Sequence, residues 1–265
     1  MAEPPQEPPP EPPPPAPPGG APDDDGLVRL HKLLAQSGIA SGRKCEELML
    51  GGHVEVDGEV VTRLGAKVDP TRAVIRVDGA RLPPLTPHVY LVVNKPRGVV
   101  STMSDPEGRR CLADLVRDRP ERLFHVGRLD TDTEGLLLLT NDGDLAHRLA
   151  HPSYEVTKTY VAEVDGVVRA STRRLLLSGV QLEDGPVACD HVTVRASHGE
   201  RSIVEVVIHE GRNRIVRRMF DAVGHPVRQL TRTALAGVRL GSLRSGQMRD
   251  LTREELGPLL DAVGR

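Results

Sequence analysis

From Leu27 onward the apolar positions fall at helical spacing: Leu27, Leu30, Leu33 and Leu34 form one stripe, Arg29, Lys32 and Gln36 another, and Gly38 closes the pattern. Ser41 is placed to cap a second helix whose apolar positions are Cys45, Leu48 and Met49. Arg43 and Lys44 fall in its first turn and Gly51-Gly52 end it. The next segment, HVEVDGEVV (53–61), alternates apolar and polar residues around Asp57-Gly58, which predicts a hairpin. VYLVV (89–93) and GLLLL (135–139) are continuous apolar runs and predict strands buried on both faces. TYVAEV (159–164) is closed by Asp165-Gly166, and SIVEVVI (202–208) is followed at once by a predicted helix. In that helix Ile215, Val216, Met219, Phe220 and Val223 share a face, and Gly224 and Pro226 supply the stop.

A polar, Pro-containing stretch over residues 78–88 separates the first helices and hairpin from the rest. The expected organisation is a small module over 26–80, a larger domain over 81–265 and a tail over 1–25. The tail holds twelve prolines, which favour polyproline II and remove backbone donors, with little apolar surface to offset ordering entropy, so it is expected to be disordered. It also holds six acids and no Lys or Arg. The formal net charge of -2, from 35 basic and 37 acidic residues, therefore hides a modest positive balance over the remaining chain, compatible with a polyanionic partner.

With 2% aromatic residues and no Trp, the core must be built from Leu, Val, Ile and Ala, and each aromatic is a separate question. No apolar run approaches the roughly 18 residues of a spanning helix, and the N-terminus lacks the basic-then-apolar pattern of a signal peptide, so the cytoplasm is expected. Cys45, Cys111 and Cys189 are odd in number, widely separated and without a C-x-x-C pair, which supports neither a disulfide framework nor a cysteine zinc site. His147 and His151 stand at i, i+4 but lack the intervening Glu of zinc hydrolases, so no metal is expected there. Cys189-Asp190-His191 has triad residue types, yet neighbours on one strand point to opposite faces.

The densest candidate chemistry is GRLDTDTEGLLLLTNDGD (127–144), where Asp130, Asp132, Glu134, Asp142 and Asp144 flank the leucine run. A calcium loop fails because its twelfth position is Asn141, where a bidentate Glu is required, and leucines fill the positions before it. A paired-carboxylate hydrolase and an Asp-rich turn ahead of a buried strand both remain open on spacing alone. A second concentration is Arg212, Arg214, Arg217 and Arg218, more cation than one helix needs for solubility, in a fork geometry suited to phosphate or carboxylate.

Two resemblances connect these segments. The helix, turn, basic helix and hairpin over about 27–75 resemble the alpha-L RNA-binding module, which implies that Arg29, Lys32, Ser41, Arg43 and Lys44 line a phosphate-binding surface. GRLD (127–130) with Thr133-Glu134-Gly135 and the leucine strand resembles the signature of the pseudouridine synthases, in particular their RsuA/RluB-type branch. NKPRG (94–98), DPEGR (105–109), HPS (151–153), KTY (158–160) and EGRNRIVRRMF (210–220) agree with it in order. Ile215 is a variation, at a position where relatives often carry a polar residue such as Gln.

The resemblance implies an α+β protein whose catalytic domain is built on a mixed, mainly antiparallel sheet. It implies isomerisation of a uridine in ribosomal RNA, with 23S favoured over 16S RNA, without cofactor or metal, by a monomer whose partner is that RNA or a precursor of the subunit. It makes Asp130 the ionised carboxylate, acting either as nucleophile or as proton acceptor. Burial among leucines would favour its neutral form, so a paired cation is expected, and the resemblance assigns Arg217 to that pairing. Tyr160 would pack on the uracil, and Lys95, Arg128, Arg212 and Arg214 would contact RNA. A catalytically silent RNA-binding assembly factor on the same fold is the competing class.

Overall fold

The computed structural model describes residues 27–70, 72–82 and 87–264. The tail expected over 1–25 lies outside the described residues. Two compact units divide between Pro84 and Leu85.

The first unit runs β1 (Val28–Arg29), α1 (Leu30–Gln36), α2 (Gly42–Leu50), β2 (Val54–Val56), β3 (Glu59–Val60), β4 (Lys67–Val68), β5 (Ile75–Val77) and β6 (Ala80–Arg81). The first helix starts at Leu30 and not at Leu27, because Val28 and Arg29 pair with Val68 and Lys67 as a short antiparallel ladder; Leu27 is left exposed. Ser41 caps α2, its hydroxyl accepting from the Lys44 amide at 3.3 Å. The expected hairpin is β2–β3, with both Asp57 and Gly58 at positive φ, as a two-residue turn that follows strand twist requires. The sheet β3-β2-β5-β6 and the two helices enclose Leu30, Leu33, Leu34, Cys45, Met49, Val54 and Ile75.

The second unit runs β7 (Tyr90–Lys95), α3 (Leu112–Leu115), β8 (Phe124–Val126), β9 (Glu134–Thr140), α4 (Gly143–Ala150), β10 (Lys158–Asp165), α5 (Ala170–Ser178), β11 (Val180–Leu182), β12 (Gly185–Val187), β13 (His191–His198), β14 (Arg201–Ile208), α6 (Ile215–Ala222), β15 (Val227–Leu235), β16 (Val238–Arg239), β17 (Met248–Asp250) and α7 (Arg253–Asp261). Seven strands form the path β13-β14-β10-β15-β9-β7-β17, with β8 on β9 and β16 on β15. Of these pairs only β9 with β15 is parallel, so the fold is α+β around a mixed, mainly antiparallel sheet.

The leucine run explains the two-sided core. Leu137 and Leu139 face one cluster with Leu91, Val93, Ala162, Val204, Val206 and Phe220, while Leu136 and Leu138 face another with Val92, Leu145, Leu149 and Leu235. Alternate side chains of one strand thus serve both faces, which is why the run lacks polar interruptions. The helix after β14 does not follow at once: residues 209–214 intervene before α6, and Arg214 at its N-cap is left-handed, with φ of 49°.

Gly135, at φ +108°, is where β9 meets β15 and β7. A Cβ there would lie 2.3 Å from the Arg232 carbonyl oxygen and 2.7 Å from its amide nitrogen, both backbone atoms that cannot swing aside. Gly135→Ala is therefore expected to lower unfolding free energy by about 2–4 kcal/mol, from overpacking and backbone strain together. The check is the urea midpoint; a wild-type midpoint would mean that the strand pair opens readily to admit a methyl.

Candidate active site

The loop between β8 and β9, residues 127–133, is fixed before any side chain chemistry is considered. The Ser101 hydroxyl donates to the Leu129 carbonyl at 2.7 Å and accepts from the Leu129 amide at 3.1 Å. The Gly98 amide donates to the Thr131 carbonyl at 2.7 Å, and the Thr133 amide turns back to the Asp130 carbonyl at 3.0 Å. Asp130 and Asp132 consequently leave a pinned backbone with their carboxylates about one-third exposed, at 30% and 34%.

The cations come from the other side of the sequence, at the start of α6. Arg214 holds Asp132 bidentately, both contacts at 3.0 Å, and its Nη1 lies 3.9 Å from the Asp130 carboxylate. Arg217 is buried. Its Nη2 donates to the Asp132 carbonyl at 2.9 Å, its Nη1 to the Val227 carbonyl at 3.1 Å, and Nη2 stands 3.4 Å from the Asp132 carboxylate. The expected pairing of Arg217 with Asp130 is thereby corrected. Two backbone carbonyls fix the plane of its guanidinium, and that plane faces Asp132; the cation nearest to Asp130 is Arg214. Burial pushes the Asp132 carboxyl up, but the Arg214 hydrogen bond and the charges of Arg217 and Arg214 outweigh it and hold it below the usual carboxylate range. Burial lowers Arg217, partly offset by Asp132.

Other expected contacts divide on the same accounting. Lys95 is fully buried: its ammonium donates to the Pro96 and Val99 carbonyls at 3.0 and 2.8 Å, so it braces the loop behind the acids and is not a phosphate contact in this structure. Arg212 is likewise corrected. It donates to the Asp184 carboxylate and to the carbonyls of Asp184, Gly185 and Pro186, and through Nε to Glu210 at 2.6 Å, which leaves little of its fork for RNA. Arg218 joins it on Asp184 at 2.8 Å. These contacts clamp the turn between β11 and β12 to the segment carrying Arg214. Arg128 and Arg214 remain exposed at the site. In the first unit Arg29 lies on β1, Lys32 on α1, and Arg43 and Lys44 in the first turn of α2; Lys44 is 2.7 Å from the Glu47 carboxylate, and the Ser41 hydroxyl is occupied as a cap.

Asp130 and Tyr160 line one cavity of about 310 Å³, within the range of small-ligand sites, together with Arg128, Lys158, Arg214 and Arg232. Tyr160 is 8% exposed on β10. Lys158 donates to the Val156 and His209 carbonyls, both at 2.7 Å, and burial pushes it down to about 8. Asp132 and Arg232 are the residues that pattern reasoning did not single out for a role. The Asp130-x-Asp132 spacing was a visible signal for the first, whereas Arg232 sits in a strand, VRQLTRTAL, with no regular apolar period. Among the described residues no cluster of His, Cys, Asp and Glu has metal-holding geometry, and Asp190 bonds to His209, not to its neighbour His191.

Residues 89–222, just over half of the chain, match the family model of RNA pseudouridylate synthases. The chain belongs to that family. It is a pseudouridine synthase, an isomerase, and residues 28–74 match the S4 domain, as expected for the front module. It is 53% identical over 240 residues to an uncharacterized RNA pseudouridine synthase of Mycobacterium tuberculosis (strain ATCC 25618 / H37Rv), covering 89% of this chain and 94% of that protein. It is 45% identical over 230 residues to the ribosomal large subunit pseudouridine synthase B of Bacillus subtilis (strain 168), covering 86% and 93%. A crystal structure of a pseudouridylate synthase aligns with a TM-score of 0.60 at 28% identity, over 88% of this chain and 99% of that one.

The buried Lys95 makes a testable signature of this synthase. Burial pushes its ammonium down to about 8, against the opposing charges of Asp130, Asp132 and Glu134. Between about pH 8 and 10.5 the unfolded chain then binds more protons than the folded one, so stability rises with pH across that window. In urea melts from pH 7 to 10.5, the stability of wild type relative to Lys95→Met should be least favourable at pH 7 and climb through the window. A difference that stays level or falls would mean that the ammonium is not desolvated.

Proposed function

We propose that this chain converts one specific uridine of large-subunit ribosomal RNA to pseudouridine, as a monomer in the cytoplasm, with Asp130 as the reacting carboxylate. The observation that carries the reading is the shared cavity: Asp130 and Tyr160, from separate strands and loops, line one space with the Arg214 guanidinium 3.9 Å from the Asp130 carboxylate. The large-subunit assignment rests on the RluB-type motifs and on the name of the Bacillus subtilis relative.

The reaction breaks the bond from ribose C1′ to N1 of uracil, turns the base and joins C1′ to C5; the C5 proton leaves and N1 takes one up. It is redox-neutral and needs no group carrier. Asp130 serves as nucleophile or proton acceptor, with Arg214 and the Asp132–Arg217 pair setting the potential around it. The Tyr160 ring offers a stacking face for the extruded base, an interaction worth roughly 1–3 kcal/mol. Arg128 and Arg214 would take phosphates at the site, and Arg29, Lys32, Arg43 and Lys44 would add sequence-independent affinity from the S4 domain.

Carbodiimide-stop mapping of ribosomal RNA from cells lacking the protein should lose one stop in 23S RNA. Wild type should restore it, while Asp130→Asn should lower the rate by more than about 100-fold and fail to do so. Restoration by Asp130→Asn would leave only a binding role, and loss of a stop in 16S RNA would move the substrate to the small subunit. For the S4 cations, the double variant Arg29→Ala/Arg43→Ala should weaken RNA binding and reduce the slope of log affinity against log salt by about 2, with little change in rate on saturating RNA. An unchanged slope would remove those arginines from the interface.

A further inference from the structure

Among the described residues Arg232 is a buried cation without a counterion. It is 2% exposed, its Nε donates to the Leu136 carbonyl at 2.8 Å, and its Nη2 has no acceptor. Arg217 also has a buried nitrogen, Nε, without an acceptor, but its charge is met: the Asp132 carboxylate stands 3.4 Å from Nη2 and two carbonyls accept from the guanidinium. A buried guanidinium left unpaired is unfavourable for folding, so its retention calls for an explanation outside the folded chain.

Its position supplies one. Arg232 is the direct cross-strand partner of Tyr160 in the β10–β15 pair, so both side chains leave the same face of the sheet, roughly 5 Å apart at Cβ. Its neighbour across the parallel pair is Gly135, which has no side chain to offer. Arg232 and Tyr160 line the cavity that holds Asp130. Arg128 and Arg214, exposed, suit the phosphates of an RNA strand, which stay near solvent; a cation at 2% exposure suits whatever is inserted deepest.

We propose that Arg232 is a substrate-contacting residue whose free guanidinium N–H groups donate to a carbonyl oxygen of the extruded uracil. This rests on the pseudouridine synthase reading above and adds a residue to it. When the C1′–N1 bond breaks, its electron pair stays with the ring and is shared by N1 and the two carbonyl oxygens. When the ring then bonds to C1′ through C5, the C5 proton passes to solvent and N1 takes up a proton, so nothing is gained or lost overall. A fixed guanidinium beside those oxygens stabilises the charge where it develops, without reorganisation.

The experiment uses the full chain and a 23S RNA transcript containing uridine tritiated at C5, with tritium release followed in single turnover and RNA affinity measured by filter binding. Arg232→Met should melt at or above the wild-type temperature, because an unpaired buried charge is gone, and bind RNA within about threefold of wild type, yet release tritium at least about 100-fold more slowly. Arg232→Lys, which keeps charge but cannot span both Leu136 and the base, should fall about tenfold below wild type and stay about tenfold above Arg232→Met. Wild-type release by Arg232→Met, or slow release that tracks a lowered melting temperature with no rescue by Lys, would overturn the proposal. If Arg232→Met does not fold, Arg232→Lys decides alone: a wild-type rate overturns the proposal, a tenfold loss at unchanged affinity sustains it. Absence of release by wild type itself would instead overturn the functional reading on which this one stands.

Discussion

The Asp132 carboxylate joins the two ends of the site. It receives two hydrogen bonds from Arg214 and the charge of Arg217, while its own backbone carbonyl accepts from Arg217. Arg214 and Arg217 lie three residues apart at one helix start, where two cations beside the positive end of the dipole repel each other and the amides behind them. A single anion between them relieves this, and a bidentate charge-assisted pair is among the stronger polar contacts available. Without Asp132 the left-handed Arg214 would have no reason to turn toward the β8–β9 loop. With it, the loop carrying Asp130 and the helix carrying the guanidiniums are locked to each other across the sheet.

That lock works because the sheet brings distant segments edge to edge. β9 and β15 run parallel for a short register in which Glu134 faces Thr231 and Gly135 faces Arg232. The Thr231 hydroxyl donates to the Glu134 carboxylate at 3.0 Å, and the Gln229 amide donates to the same carboxylate. Gly135 permits the close approach, since its φ and the nearby Arg232 backbone both exclude a side chain. The carboxylates of the 130–134 segment therefore sit beside β10 and β15 instead of at the sheet's edge, and Tyr160 and Arg232 arrive on the same face.

The sequence made the elements legible where periodicity and packing agree. The leucine run had to be buried on both faces, the Asp57-Gly58 turn had to be a hairpin, and α6 followed from Ile215, Val216, Met219 and Phe220. The first helix was misjudged at its start because Leu27 extends the helical stripe, while the pairing of Val28 and Arg29 with β4 is a long-range contact that no local pattern contains. The same limit explains the site. GRLD and EGRNRIVRRMF identified which segments carry the chemistry, but which of two acids two residues apart meets a given arginine depends on where carbonyls such as that of Val227 fix the guanidinium plane. Arg232 was invisible for the opposite reason: VRQLTRTAL (227–235) has no regular apolar alternation, and only the register shows that Arg232 lies inside with Leu230.

Charge counting alone would have enlisted every cation near the acids for RNA. Hydrogen-bond accounting separates them. Lys95, Arg212 and Arg218 have acceptors inside the protein and hold loops in place. Arg217 is divided between Asp132 and the Val227 carbonyl. Arg214 is exposed but holds Asp132, Arg128 faces solvent, and Arg232 is buried with Nη2 left over. A site that must first capture a polyanion and then tolerate charge moving onto a neutral base needs both kinds of open cation, one at the surface and one at depth. The scaffold cations make this possible, since a loop braced by the buried Lys95 ammonium and Arg217 guanidinium keeps the Asp130 carboxylate at the cavity while Asp132 takes up Arg214.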